Sequence, residues 1–150
     1  MKRILKFGAL ALVLVLVTGC GSNGGNKLSC SYKQTRNDEK RERTYTYTFN
    51  KDDEITKAEV VEKYTYDDKD DAKDFKEDME DELEDLEDID GISHSVKLSG
   101  KTVTVTVKAD VKKMDDDDIE DQFEEFFNVD AESSRKEVKK YFKNYDYKCK

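Results

Sequence analysis

The chain has 150 residues, 35% of them hydrophobic and 42% charged, with 27 basic against 36 acidic side chains and a net charge of −9. That length fits one domain and is too short for the two-lobed architecture of a solute-binding protein. A chain this acidic repels nucleic acid and anionic headgroups alike, and no basic stripe of the kind phosphate binding needs stands out along it.

Lys2, Arg3 and Lys6 open the chain with positive charge, and Phe7 to Val17 follow with no charged or polar side chain. A run of that length matches the apolar core of a secretory signal and falls short of the about 20 residues that a membrane-spanning helix needs. Thr18 and Gly19 come next, then Cys20. The order Val17-Thr18-Gly19-Cys20 resembles the lipobox of bacterial lipoproteins. The resemblance implies diacylglyceryl transfer to the Cys20 sulfur, cleavage after Gly19, and anchoring on the extracytoplasmic face of the cell membrane. Two or more acyl chains, at about 0.8 kcal/mol per buried methylene, make such attachment stable. Residues 1–19 are then a signal peptide, and without their three basic residues the remainder has 24 basic against 36 acidic side chains, a net charge of −12. Residues 20–27 read as the lipidated cysteine and a Gly/Ser/Asn tether of roughly 14 Å span. Residues 28–150 read as a single extracytoplasmic domain.

High charge also marks disordered chains, but eight Tyr, seven Phe and clear periodicity argue for a folded domain. Leu28, Cys30 and Tyr32 alternate with polar residues and predict a first strand. Arg36 to Arg43, almost wholly charged or polar, reads as a turn and the start of the next strand. Thr44 to Phe49 alternates strictly, with Tyr45, Tyr47 and Phe49 on one face and threonines on the other, as in a half-buried antiparallel strand. A polar turn at Asn50 to Glu54 leads into a third strand near Ile55 to Tyr66. The charge run Asp67 to Asp71 caps a helix in which Ala72, Phe75, Met79, Leu83, Leu86 and Ile89 recur at three- and four-residue steps, stopped by Asp90-Gly91. Ile92 to Leu98 and Val103 to Val107 form a second hairpin about Ser99-Gly100. Asp115 to Asp118 cap a short helix with Ile119, Phe123, Phe126 and Phe127. A last helix starts at Ser134, whose spacing to Glu137 matches a capping box, and buries Val138, Tyr141 and Phe142. The tail from Tyr145 to Cys149 has too short a pattern to assign.

The order β-β-β-α-β-β-α-α predicts an α+β fold, an antiparallel sheet of about five strands with helices packed on one face. This layout, from lipobox and tether through the Leu-Ser-Cys strand and acidic helix to the closing Tyr-Lys-Cys-Lys, resembles small uncharacterised lipoproteins of Gram-positive bacteria. It is also similar to the YehR-like lipoprotein family. The resemblance bears on fold and location and supplies no catalytic residue.

With Cys20 assigned to lipid, Cys30 and Cys149 remain as an even pair in an exported protein, without a CxxC or Cys/His cluster. A disulfide between them would hold the tail beside the first strand and close a loop of more than 100 residues, worth about 4 to 5 kcal/mol in loop-closure entropy. Two free buried thiols are the alternative. His94 is the sole histidine, so a Ser-His-Asp or histidine-rich zinc site would have to include it. Its parity with Ile92 and Val96 suits a partly buried structural role, and Ser93 and Ser95 fall on the opposite face. The runs Asp67-Asp68, Asp70-Asp71 and Asp115 to Asp118 supply oxygens for a hard cation, but from Asp115 the fifth and sixth positions are Ile119 and Glu120, which breaks the EF-hand pattern. Solvated helix caps account for them, and no cofactor or metal is expected. Tyr45, Tyr47, Tyr64 and Tyr66 either line a groove or pack against the helices; packing is the expected role.

Without a catalytic constellation, the expected function is non-enzymatic: a membrane-anchored domain binding a protein, envelope polymer or small ligand, and no nucleic acid. The alternative is a carboxylate-dependent envelope hydrolase, for which 36 acids are available and no pair stands out.

Overall fold

The computed structural model describes residues 26–36 and 39–150. The expected signal segment, Cys20 and tether residues 21–25 lie outside the described residues, as do Asn37 and Asp38. The strands are β1 (Asn26–Arg36), β2 (Glu39–Phe49), β3 (Ile55–Thr65), β4 (Ile92–Ser99), β5 (Thr102–Asp110) and β6 (Lys148–Cys149). They form one antiparallel sheet in the order β4-β5-β3-β2-β1-β6. The helices are α1 (Lys69–Glu82), α2 (Asp116–Asp118), α3 (Glu124–Phe127) and α4 (Arg135–Asn144). The α+β class with an antiparallel sheet and helices is as the sequence predicts.

Alternation builds the core. Leu28, Cys30, Tyr45, Tyr47, Phe49, Ala58 and Val60 are buried, and Val103, Val105, Val107 and Ala109 of β5 join them on the same side of the sheet. The helices close this side: Ala72 of α1, Leu83, Leu86, Phe123, Phe127, and Val138 and Phe142 of α4 are buried against it. Phe142 meets Tyr45, Tyr47 and Tyr147 at centroid distances of 4.8, 5.9 and 4.9 Å. Burying side chains of this size contributes about 1.5 to 3 kcal/mol each. The tyrosines on β2 are thus packing residues, as expected. Tyr47 donates its hydroxyl to the carbonyl oxygen of Phe127 at 2.5 Å, and Asn128 Nδ2 donates to the Tyr45 hydroxyl at 2.6 Å. Asn128 holds a left-handed φ of 60° at the end of α3, a conformation asparagine tolerates. Burial pushes the Tyr45 phenol up to about 12, and the Tyr47 phenol up as well.

The structure departs from the sequence reading in five places. β1 begins at Asn26, inside the stretch assigned to the tether. β1 and β2 each run 11 residues, so the charged segment Arg36 to Arg43 belongs mostly to strands. Cross-strand pairing explains this, since Lys33 stands opposite Glu42 and reaches it at 2.7 Å. The acidic helix breaks at Glu82 and continues as a 3₁₀ turn, Glu84–Asp88. In a 3₁₀ helix residues three apart eclipse, so Leu83, Leu86 and Ile89 stay on one face only if the helix tightens there. No basic residue stands in the last turn of α1, and acids there oppose the helix dipole. Finally, α2 runs through a π turn, Ile119–Phe123, into α3, and β6 adds a sixth strand too short for alternation to reveal.

Ser134 and Glu137 form the predicted capping box at the start of α4. Gly91 holds a φ of 85°, and a Cβ there would lie 2.8 Å from the Asp110 carbonyl oxygen and from Met114 Cγ, so the junction before β4 requires glycine.

Candidate functional site

Cys30 and Cys149 stand directly opposite each other in the β1–β6 register, with Cα atoms 4.0 Å apart and sulfurs at bonding distance. Ser29 and Lys150 exchange both backbone hydrogen bonds next to them, which makes the cysteines a non-hydrogen-bonded pair, the closer of the two antiparallel pair types. The tail therefore packs beside the first strand, as the cysteine count suggested. Tyr147 stacks on Tyr32 at 5.2 Å within the same tail.

On the helix-covered side, the end of the sheet away from Asn26 carries a polar cluster. Arg41 Nη2 reaches Glu62 Oε2 at 2.8 Å, Arg43 Nε lies against Glu62 Oε1, and the Tyr64 hydroxyl donates to the same carboxylate. Arg41 also lies over the Tyr64 ring at 4.9 Å. Burial alone would raise the Glu62 pKa, but the Arg43 charge and the hydrogen bonds from Tyr64, Arg43 and Arg41 outweigh it and hold it below the usual carboxylate range. Glu62, its side chain 15% exposed, is thus held as an anion.

Farther along this side lies an acidic region. Residues 67–90, spanning α1 and the 3₁₀ turn, contain 15 acids and three lysines, a net charge of −12. From Cys20 onward the chain totals −12, so everything outside this segment sums to zero. A cleft of about 500 Å³ between this segment and β4 is lined by Glu80, Asp81, Glu84, Glu87 and His94. His94 is half-buried on the side of the sheet facing α1. Among the described residues, no group of three or more His, Cys, Asp or Glu is placed to hold a metal ion. Asp68 and Asp115 cap helices through their side chains, the role read from sequence.

Among the described residues, no helix lies over the opposite side of the sheet. Its register lays side chains out in rows, because residues paired across antiparallel strands point the same way. One row reads Lys27, Thr48, Lys57, Asp110, and the next Ser29, Thr46, Glu59, Lys108, Ser93. The middle row is Ser31, Thr44, Val61, Thr106 and Ser95, with Lys148 of β6 opposite Ser31. Then come Lys33, Glu42, Lys63, Thr104, Lys97, and finally Thr35, Lys40, Thr65, Thr102, Ser99. Together these rows hold 13 Ser or Thr, eight Lys, three carboxylates and one apolar residue, Val61. The local net charge is +5. Each carboxylate pairs with one lysine: Lys33–Glu42 at 2.7 Å, Lys57–Asp110 at 3.2 Å and Lys108–Glu59 at 3.1 Å. The other five lysines have no carboxylate at ion-pair distance among the described residues, and all eight are exposed. One end of this face forms a trough of about 450 Å³ whose lining includes four lysines, Lys27, Lys57, Lys108 and Lys113, and two carboxylates, Glu59 and Asp110.

Sequence reasoning missed this face. The acidic total concealed it, and the expectation that no basic stripe exists is corrected: lysines occupy alternate strand positions that only pairing brings together. The signal present in the sequence was parity, with lysine and hydroxyl residues on the positions that alternate with Tyr, Phe and Val.

No protein-family model and no curated protein matches the chain. Among solved structures, it is similar to an NMR structure of a protein from Streptococcus pneumoniae TIGR4, with 16% identity, a TM-score of 0.51, and coverage of 100% of this chain and 99% of that one. At that identity the likeness shows a shared fold, and it is the fold alone that the two chains are shown to share.

Proposed function

We propose that this protein is a lipid-anchored, non-enzymatic binding domain on the extracytoplasmic face of the cell membrane, and that its ligand surface is the open face of the sheet. The observation that carries the reading is that face: five registered rows made of hydroxyl and lysine side chains, three carboxylates and the single apolar residue Val61, with no helix packed on them among the described residues. Solvent exposure alone asks only for polar residues, whereas a net +5 on one side of a chain of net −12 is a charge separation with a use in recognition. A binding role is supported over hydrolysis by Glu62. A two-carboxylate hydrolase needs one carboxyl kept protonated, whereas Glu62, its side chain only 15% exposed, is held ionised by two arginines. The anchor rests on the Val17-Thr18-Gly19-Cys20 sequence.

One experiment addresses both halves. In a bacterial host, wild-type protein should carry diacyl mass and fractionate with membranes, while Cys20→Ala should remain an unprocessed precursor. In the same cells, a photo-crosslinking residue at Thr104 or Thr106 on the open face should capture envelope material, and one at Glu125 of α3 should not. Normal processing of Cys20→Ala with no acyl mass on the wild type overturns the anchor. Equal labelling from both crosslinking positions overturns the ligand surface.

A further inference from the structure

We infer that the ligand of the open sheet face is a linear, hydroxyl-rich polyanion: a chain of polyol or sugar units joined or decorated by phosphate or carboxylate groups. This rests on the reading that the open face is the ligand surface, and adds what the ligand must be.

Charge decides its sign. The five lysines left over after the cross-strand pairs give the face a positive excess, and residues 67–90 repel an anion from the other side of the sheet. An anionic chain is therefore steered to one face of a molecule whose overall charge would otherwise exclude it. Hydroxyls decide its chemistry. Thirteen Ser and Thr side chains each offer one donor and two acceptor lone pairs, the complement of a polyol or sugar surface. Some of them are already organised, Thr65 and Thr102 sharing a hydrogen bond at 3.0 Å across β3 and β5.

Shape decides that it is a chain. Five strands about 4.8 Å apart and five rows about 6.7 Å apart give a platform of roughly 20 by 27 Å. The trough of about 450 Å³ at one end holds a unit or two, and Lys63, Lys97 and Lys40 continue the charge beyond it. An anionic bilayer is the competing polyanion, but a membrane-docking face gains from apolar side chains that enter the headgroup layer, and this face offers only Val61. Duplex nucleic acid is the other, but the face carries no arginine, the side chain that grips a phosphate or a guanine edge bidentately, and its sheet strands project no helix or ribbon to enter a groove.

The test uses the full chain in a neutral detergent and a defined probe, poly(glycerol phosphate), with neutral dextran, anionic vesicles of phosphatidylglycerol in phosphatidylcholine, and duplex DNA as comparisons. The expected result is saturable binding to poly(glycerol phosphate) that weakens with salt. The variant Lys27→Gln/Lys63→Gln/Lys97→Gln should weaken it about tenfold or more and reduce the salt slope by up to about three. The variant Lys136→Gln/Lys139→Gln/Lys140→Gln, on α4, should leave it unchanged, with matched melting temperatures showing that both fold. Binding to vesicles or DNA that is as tight as to the polymer overturns the inference. So does equal binding to dextran that ignores the lysines; if that binding is lost on substituting Thr104 and Thr106 with Val, the open face remains the ligand surface with a neutral ligand. Binding to none of the probes, or binding unmoved by any open-face substitution, overturns the inference and the proposed ligand surface together.

Discussion

The two faces of one sheet are made from alternate residues of the same strands and have opposite properties. On the covered face, Tyr45, Tyr47 and Phe49 are buried under α3 and α4, and Arg41, Arg43 and Glu62 are spent on each other. On the open face, Thr44, Thr46 and Thr48 sit between them in sequence, and lysines outnumber carboxylates eight to three. Period-two alternation therefore separates the buried face from the proposed ligand face at single-residue resolution. A substitution at an odd position of β2 should be read in stability, and one at an even position in binding. The same contrast appears at the scale of the molecule, where α1 and its 3₁₀ turn carry the acidic excess on the covered side.

The largest expected effect on the covered side comes from the tail. The Cys30–Cys149 bridge spans a sequence separation of 119 residues, so its loss should cost about 4 to 5 kcal/mol by loop-closure entropy. For Cys149→Ser that corresponds to a fall in melting temperature on the order of 15 °C. The oxidised wild type should show no titratable thiol without denaturant or reductant. Two titratable thiols in the native protein, or a variant that melts with the wild type, would sink the prediction. The tail also packs Tyr147 on Tyr32 and Phe142, so any loss beyond the bridge itself would report on that contact.

A smaller effect is expected at Glu62. Glu62→Gln leaves Arg41 and Arg43 without their carboxylate, and with side-chain exposures of 38% and 26% the arginines lie between the buried and solvent-screened limits. The cost at neutral pH should be about 2 kcal/mol. Its pH dependence follows from the lowered pKa. A carboxyl whose folded pKa is depressed stabilises the fold above its unfolded value, about 4.3, and that contribution is lost as pH falls through the folded value. Urea unfolding should thus show a wide gap between wild type and Glu62→Gln at pH 7 that narrows below pH 4. An equal gap at both ends would mean that the carboxylate's shape matters there and its charge does not.

Much of the covered face was legible in the sequence. Alternation at Thr44 to Phe49 and Val103 to Val107, the capping box at Ser134, and the cysteine pair each announced what the structure contains, because each is a local pattern or a count. What escaped depends on pairing between distant residues. The strand character of Glu39 to Arg43 comes from β1 and β3 on either side, the turn of Leu83, Leu86 and Ile89 into a 3₁₀ helix from the core they must face, and β6 from a partner 119 residues away. The candidate ligand surface escaped for the same reason. Lys27, Lys63 and Lys97 lie on three strands, and no window of sequence contains all of them.

The smallest expected effect on stability is on the open face, and its smallness is what sharpens the contrast. Lys63 and Lys97 stand in one row on either side of Thr104, are exposed, and have no carboxylate at ion-pair distance among the described residues. Neutralising both removes no buried contact and no ion pair, and what Lys63 gives up is only its solvent-exposed cross-strand neighbour Glu42, so Lys63→Gln/Lys97→Gln should unfold in urea within about 0.5 kcal/mol of the wild type. Lys57 and Lys108 differ by having partners, but their side chains are 64% and 58% exposed, and such pairs contribute between about 0 and 1 kcal/mol. Lysines kept for stability would be expected at the paired positions; those at Lys27, Lys40, Lys63, Lys97 and Lys148 have no such account. A loss above about 1 kcal/mol for Lys63→Gln/Lys97→Gln would show that the open face serves the fold, and would remove the distinction between the two sides from which its binding role is argued.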